Sequence, residues 1–239
     1  MAQKTPVNSI NTDTTFSPSH KYSVRPYVLP AVFISYGFIA KGHNYFRDVD
    51  ENTKSEITED HPLFKTGIEN YLQYSPAAAV YILNAVGIKG EHNFRDRTII
   101  YALSTAISAV AVTGLKLSTK IIRPDGSADN SFPSGHTATA FAAAAFLQKE
   151  YKNVSPWYGI AGYAAATFTG ILRIYNNKHW VSDVVAGAGV GILSTKVAYC
   201  LYPFIKRKIF KDKNSNIVIA PFYQPHNAGL AMVYRFSEK

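Results

Sequence analysis

The sequence predicts an all-α protein, a bundle of five to six helices with a small C-terminal β-hairpin or extended tail. Three observations predict it. Uncharged segments of helix length recur along the chain, clusters of turn residues separate them, and an alanine-rich run without a breaker lies near the middle. At 239 residues the chain suits one domain with tails and is long enough to bury a full core.

Residues 1–25 are rich in Ser, Thr, Asn and Pro and read as a flexible tail. The first apolar segment follows at 27–40, and the charged stretch after it, HNYFRDVDENTKSEITEDHP, reads as loop or short amphipathic helix. Helix-length segments come next at 70–88, 98–115, in the alanine run after His136, at 154–172 and at 181–205. Together they define a helical domain over 26–210. The remainder, 211–239, alternates polar and apolar residues around a Pro-His-Asn-Ala-Gly turn, which predicts a hairpin packed on the bundle. Segment lengths near ~20 residues permit membrane crossing. Their Ala, Gly, Ser, Thr and Tyr content favours a periplasmic or membrane-surface protein over a fully integral one.

Charge narrows the partners. Twenty-five Lys and Arg against 16 Asp and Glu give +9, which suits an anion: nucleic acid, an anionic membrane surface or a phosphorylated substrate. No RNP, zinc-finger or arginine-rich signature accompanies the charge, so nucleic acid is set aside. The single cysteine, Cys200, excludes an internal disulfide and a cysteine metal cluster and reads as a small buried hydrophobe. The N-terminus has no apolar core and is not a signal peptide as it stands.

The chemistry starts at SFPSGHTATAFAAAAF, 131–146, where a Pro-Ser-Gly-His turn opens into the alanine run. Pro133 and Ser134 suit a helix start, and the free N–H groups and dipole of a helix N-terminus suit phosphate. Upstream, Lys116 and Arg123 lie seven residues apart in KLSTKIIRP, almost two helical turns, so both are expected on one face near a helix end enforced by Pro124. Downstream, in LRIYNNKHWVSD, His179 and Asp183 at i and i+4 are expected to stack on one helical face. A break at Asn176–Asn177 brings Arg173 back toward them. Cations, an anion-binding helix start and two histidines, one of them oriented by a carboxylate, suit phosphoryl transfer, whose transition state spreads negative charge over three equatorial oxygens.

The pattern K-x6-RP (116–124), PSGH (133–136) and R-x5-H-x3-D (173–183) resembles the type 2 phosphatidic acid phosphatase superfamily, which includes lipid phosphate phosphatases, bacterial class A acid phosphatases and vanadium haloperoxidases. The resemblance implies a phosphatase acting through a phosphohistidine. His179 is the nucleophile, Asp183 fixes its tautomer, and His136 is the acid and then the base. Lys116, Arg123 and Arg173 neutralise the phosphoryl oxygens, while Ser134 and the Gly135 N–H complete the cradle. It implies no cofactor and no metal, and a phosphorylated lipid or small phosphate ester as partner. It also implies a place on the periplasmic side of a bacterial envelope, with a leader removed or an altered start. One departure is visible: Leu172 stands where the family often has Ser. The expected substrates are lipid A, undecaprenyl pyrophosphate, or phosphatidate and phosphatidylglycerol phosphate. A soluble broad-specificity acid phosphatase, a vanadium haloperoxidase and a non-catalytic anion-binding envelope protein are the alternatives. Other motifs have plain readings. GAGVG at 187–191 lacks the dinucleotide spacing and reads as close helix packing, and DGSADN at 125–130 reads as a turn.

Overall fold

The computed structural model describes residues 24–42, 45–209, 217–224 and 227–234. Eight helices and one hairpin occur among them: α1 (Arg25–Ile39), α2 (Tyr45–Asp60), α3 (Glu69–Leu72), α4 (Ser75–Ala85), α5 (Phe94–Thr119), α6 (Gly135–Tyr151), α7 (Pro156–Tyr175), α8 (Val181–Ile209), β1 (Ile217–Gln224) and β2 (Asn227–Tyr234). The flexible tail expected over 1–25 lies almost wholly outside the described residues.

The count exceeds the expected five to six for two local reasons. The charged stretch forms a full helix, α2, supported by an Arg47–Glu51 pair at i, i+4. The segment at 70–88 is cut into α3 and α4, because Pro76 in the first turn of α4 has no N–H to continue a preceding helix. The hairpin is antiparallel with Ile217 opposite Tyr234 and Gln224 opposite Asn227. Asn227, Ala228 and Gly229, expected in the turn, belong to β2, and residues 225 and 226, expected there too, lie outside the described residues.

The alanine run is the core. Ala138, Ala140, Ala142, Ala143, Ala144, Ala145 and Phe146 of α6 are all buried, with α5, α7 and α8 around them. Alanine on every face lets neighbouring helices approach closely, and glycines of α8 complete the fit. A Cβ on Gly191 would collide with the Ala138 carbonyl oxygen and stand 2.8 Å from the Ala142 nitrogen. A Cβ on Gly187 would stand 2.6 Å from the Ser134 carbonyl oxygen. GAGVG is therefore a packing surface. Both obstacles at Gly191 are backbone, so Gly191→Ala is expected to destabilise the fold by about 3 kcal/mol, read as a lower unfolding midpoint in detergent.

Only 22% of the apolar window of α5 is buried, against 56% in α8, and both helices are long and apolar enough to cross a membrane. Apolar side chains also face outward elsewhere: Val28, Leu29 and Val32 on α1, Ile82 on α4, and Trp157, Ile160 and Phe168 on α7. Cys200, expected to be buried, is exposed.

Candidate active site

The C-terminal ends of α1, α5 and α7 and the N-terminal ends of α6 and α8 meet at one end of the bundle, so the loops 120–134 and 176–180 face each other there. The backbone joins them: Ser134 N donates to Asp183 O at 3.0 Å, and Asp125 N donates to Asn177 O at 3.2 Å. This junction brings motifs from distant parts of the chain into one place.

His179 is buried, 3% exposed, and its Nδ1 stands 3.6 Å from Asp183 Oδ2. The pair is not made on a helical face, as the spacing suggested. Helix α8 begins at Val181, so His179 lies before it and Asp183 in its first turn. The loop turns because α7 ends at Tyr175 and Asn177 takes φ +56°, a left-handed conformation that Asn tolerates. The expected break at Asn176–Asn177 is there, and Lys178 N donates back to Arg173 O at 3.1 Å.

Asp183 is fully buried and its carboxylate is held on both oxygens. Oδ1 accepts from Lys41 Nζ at 2.7 Å, while Oδ2 accepts from Trp180 N at 2.9 Å and from the Ser131 hydroxyl. Ser131 Oγ also lies 3.5 Å from His179 Nδ1. Lys41 donates in addition to Ser182 Oγ at 2.7 Å, and Ser182 N and Oγ donate to the buried carboxylate of Asp50. Sequence reading missed Lys41, Asp50 and Ser131. Lys41 and Asp50 are more than 130 residues from their partners and no spacing announces them. Ser131, two residues before the Pro-Ser-Gly-His turn, was available as a polar residue beside an aromatic one.

Lys116 sits in the last turn of α5 and its ammonium donates to Asn130 O. Arg123 is not on that helix. Helix α5 stops at Thr119, five residues before the Pro124 expected to end it, with Lys120 as a left-handed cap, and Arg123 belongs to the following loop, where Nε donates to Asn130 Oδ1 at 3.0 Å. Arg173, 8% exposed, donates from Nη1 to Glu69 Oε1 at 3.1 Å, and Asn176 Nδ2 donates to the same oxygen at 2.7 Å. Thus α3 supplies an acid behind Arg173 and, one residue on, Asn70, whose Oδ1 lies 2.8 Å from His136 Nε2. Lys116, Arg123 and Arg173 all lie near enough to His136 to interact with its charge. Arg173 and Lys116 are electrostatic neighbours of both histidines, and Arg123 of His136.

Ser134 is the N-cap of α6, fully buried; its Oγ accepts from Thr137 Oγ1 at 2.9 Å and more weakly from Thr137 N at 3.5 Å. Its hydroxyl is thereby engaged in the helix start. At Gly135 a Cβ would meet only Val112 Cγ1, at an ordinary 3.7 Å, so the protein itself leaves room for a side chain there. Leu172 is buried in the scaffold. Among the described residues, no three His, Cys, Asp or Glu side chains gather as a metal ligand set.

Burial pushes the His179 imidazole down to about 4, against the pull of Asp183 and with help from Arg173 and Lys116. The ring is neutral at physiological pH. Since an unfolded histidine titrates near 6.5, the unfolded chain takes up a proton before the folded one as pH falls from about 6.5 to about 4. Stability present above 6.5 is lost through that window, by up to about 3 kcal/mol. The unfolding midpoint is expected to drop between pH 7 and pH 5, and to drop less in His179→Asn.

Residues 97–207 match the PAP2 superfamily model. The chain is similar to a lipid A 1-phosphatase of Porphyromonas gingivalis, 43% identical over 166 residues, which are 69% of this chain and 36% of that protein. It is similar to a bacitracin transport permease protein of Bacillus licheniformis, 29% identical over 101 residues, 37% of this chain and 48% of that one. The chain thus spans between about a third and a half of the curated relatives it matches. The crystal structure of a transmembrane PAP2-type phosphatidylglycerolphosphate phosphatase from Bacillus subtilis shares the fold, with a TM-score of 0.52 and 23% identity over 77% of this chain and 99% of that one.

Proposed function

We propose that the chain, whose residues 97–207 match the PAP2 superfamily model, is a metal-independent phosphatase of an envelope lipid phosphate. A phosphomonoester of the lipid A 1-phosphate type is the substrate to which the relative from Porphyromonas gingivalis points. The observation that carries the reading is a buried, neutral imidazole beside a fully held carboxylate, with Arg173 and Lys116 as electrostatic neighbours that it shares with His136.

Because Nδ1 of His179 faces Asp183 and Ser131, Nδ1 carries the proton and Nε2 offers its lone pair to phosphorus. A phosphate monoester binds with its free oxygens among Lys116, Arg123, Arg173 and the N–H groups that open α6. Burial and the neighbouring cations hold the free His136 imidazole down at about 4, so His136 is charged by the proton that the monoanionic phosphate brings into the site. Attack then forms the N–P bond as the ester P–O bond breaks, and His136 gives that proton to the leaving oxygen. The imidazolium that forms is stabilised by Asp183. In the second step His136 takes a proton from water, the water oxygen bonds to phosphorus, and the N–P bond breaks to release phosphate. Asn70 holds the His136 ring for both steps.

The outward apolar faces of α1, α4, α5 and α7 support seating in a bilayer, more deeply than composition suggested. The site end then lies at headgroup level, on the periplasmic side. Phosphate release from lipid A and phosphatidate in detergent, undiminished by chelator, is the expected result. Faster turnover of p-nitrophenyl phosphate than of any micellar lipid would instead make the protein a soluble-type acid phosphatase.

A further inference from the structure

A cavity of about 770 Å³ opens beside the catalytic residues, between α2 and the loop that follows α5. Its lining carries Arg47, Lys54, Lys120 and Arg123 against a single carboxylate, Glu51, and includes Trp180. Glu51 is already engaged by Arg47 Nε at 2.8 Å. The Arg47 guanidinium and the Lys54 ammonium lie over the Trp180 ring, 4.9 and 5.5 Å from its centroid. Among the described residues, neither Lys54 nor Lys120 has a carboxylate within ion-pair distance. Lys120 is moreover held at φ +48°, ψ +40°, where Gly or Asn is the usual choice. A lysine at this cap costs backbone energy, and it places a cation on the cavity wall.

The cavity joins the catalytic space through two residues. Arg123, one of its walls, is among the cations around His136. Trp180 follows His179 directly, donates from Nε1 to Ile122 O at 2.9 Å and from its backbone to Asp183. We propose that this cavity is a second anion subsite, which takes a phosphate group not undergoing reaction while the first is hydrolysed at His179. The chemistry it recognises is a phosphate carried at headgroup level. The favoured source is a second phosphate on the same substrate molecule; the other is the headgroup of a neighbouring anionic phospholipid. The proposal rests on the phosphatase reading and names the substrate class as bis-phosphorylated lipids.

The test is binding, in the His179→Ala protein, so that turnover is not needed. Probes are a lipid A carrying two phosphates, its counterpart carrying only the phosphate to be hydrolysed, and phosphatidylcholine vesicles with or without phosphatidylglycerol. Lys54→Gln with Lys120→Gln, in that background, is expected to weaken binding of the two-phosphate lipid about tenfold and to leave the one-phosphate lipid within about twofold. If the pair instead removes a preference for phosphatidylglycerol vesicles and weakens both lipids alike, the subsite takes bulk headgroups. If neither preference changes while the melting midpoint is retained, the subsite does not exist. Failure of the phosphatase reading appears separately, as no phosphate release from either lipid by the unmutated protein.

Discussion

His179→Ala is expected to lower phosphate release by at least about 10⁴-fold while binding of inorganic phosphate changes little. The reasoning is geometric. The imidazole is the neutral group whose free lone pair points away from its carboxylate partner, whereas in the proposed mechanism the anion is held by Lys116, Arg123, Arg173 and the opening of α6. Removing the ring removes the covalent step and leaves the cradle. A base-quenched reaction, in which phosphohistidine survives, is expected to show label on the unmutated protein and none on the variant. His179→Asn guards against collapse of the buried site, since it fills more of the space and cannot form the intermediate. Turnover equal to that of the unmutated protein in either variant refutes the nucleophile assignment.

Asp183→Asn has the second largest expected effect, in two separable parts. The first is catalytic: an amide facing Nδ1 no longer enforces the reactive tautomer or stabilises the imidazolium, and kcat is expected to fall by about 10³- to 10⁴-fold. The second is structural. Lys41 donates to Asp183 Oδ1 at 2.7 Å with its side chain only 13% exposed, and the substitution leaves this ammonium without its closest anion. Breaking such a pair on one side costs about 3–5 kcal/mol. Lys41→Met added to Asp183→Asn is therefore expected to recover much of the unfolding midpoint and none of the rate. A double variant that recovers both, or a single variant as stable as the unmutated protein, contradicts the account. Asp50 lies 3.8 Å from Lys41 but is engaged by Ser182 N and Oγ, so it does not replace Asp183.

The proposed chemistry could be argued from the sequence because phosphoryl transfer needs residue types that remain visible in one dimension. A helix start opened by Pro-Ser-Gly-His, two basic residues before it and a histidine followed by an acid mark out a site whichever way the chain runs. The geometry inferred from spacing was less secure. Residues 116 and 123 were expected on one helix and 179 and 183 on another, yet both helices stop or start between them. A left-handed residue, Lys120 in one case and Asn177 in the other, sets each direction, and spacing along an ideal helix carries no information about such a turn. The pairs form all the same, because the loops are tied to each other through Ser134 to Asp183 and Asp125 to Asn177.

The sequence by itself determined the helical class, the alanine helix opened by Pro-Ser-Gly-His, and the inventory of cations and histidines. These follow from local propensity and residue chemistry, which act over a few neighbouring positions. Only the tertiary structure decided that Lys41, Asp50 and Ser131 hold Asp183, that Glu69 and Asn70 stand behind Arg173 and His136, and that α2 walls a basic cavity beside them. Those contacts join residues from 50 to more than 140 positions apart, and they exist because close packing of small residues on α6 and α8 brings the ends of α1, α5, α6, α7 and α8 together.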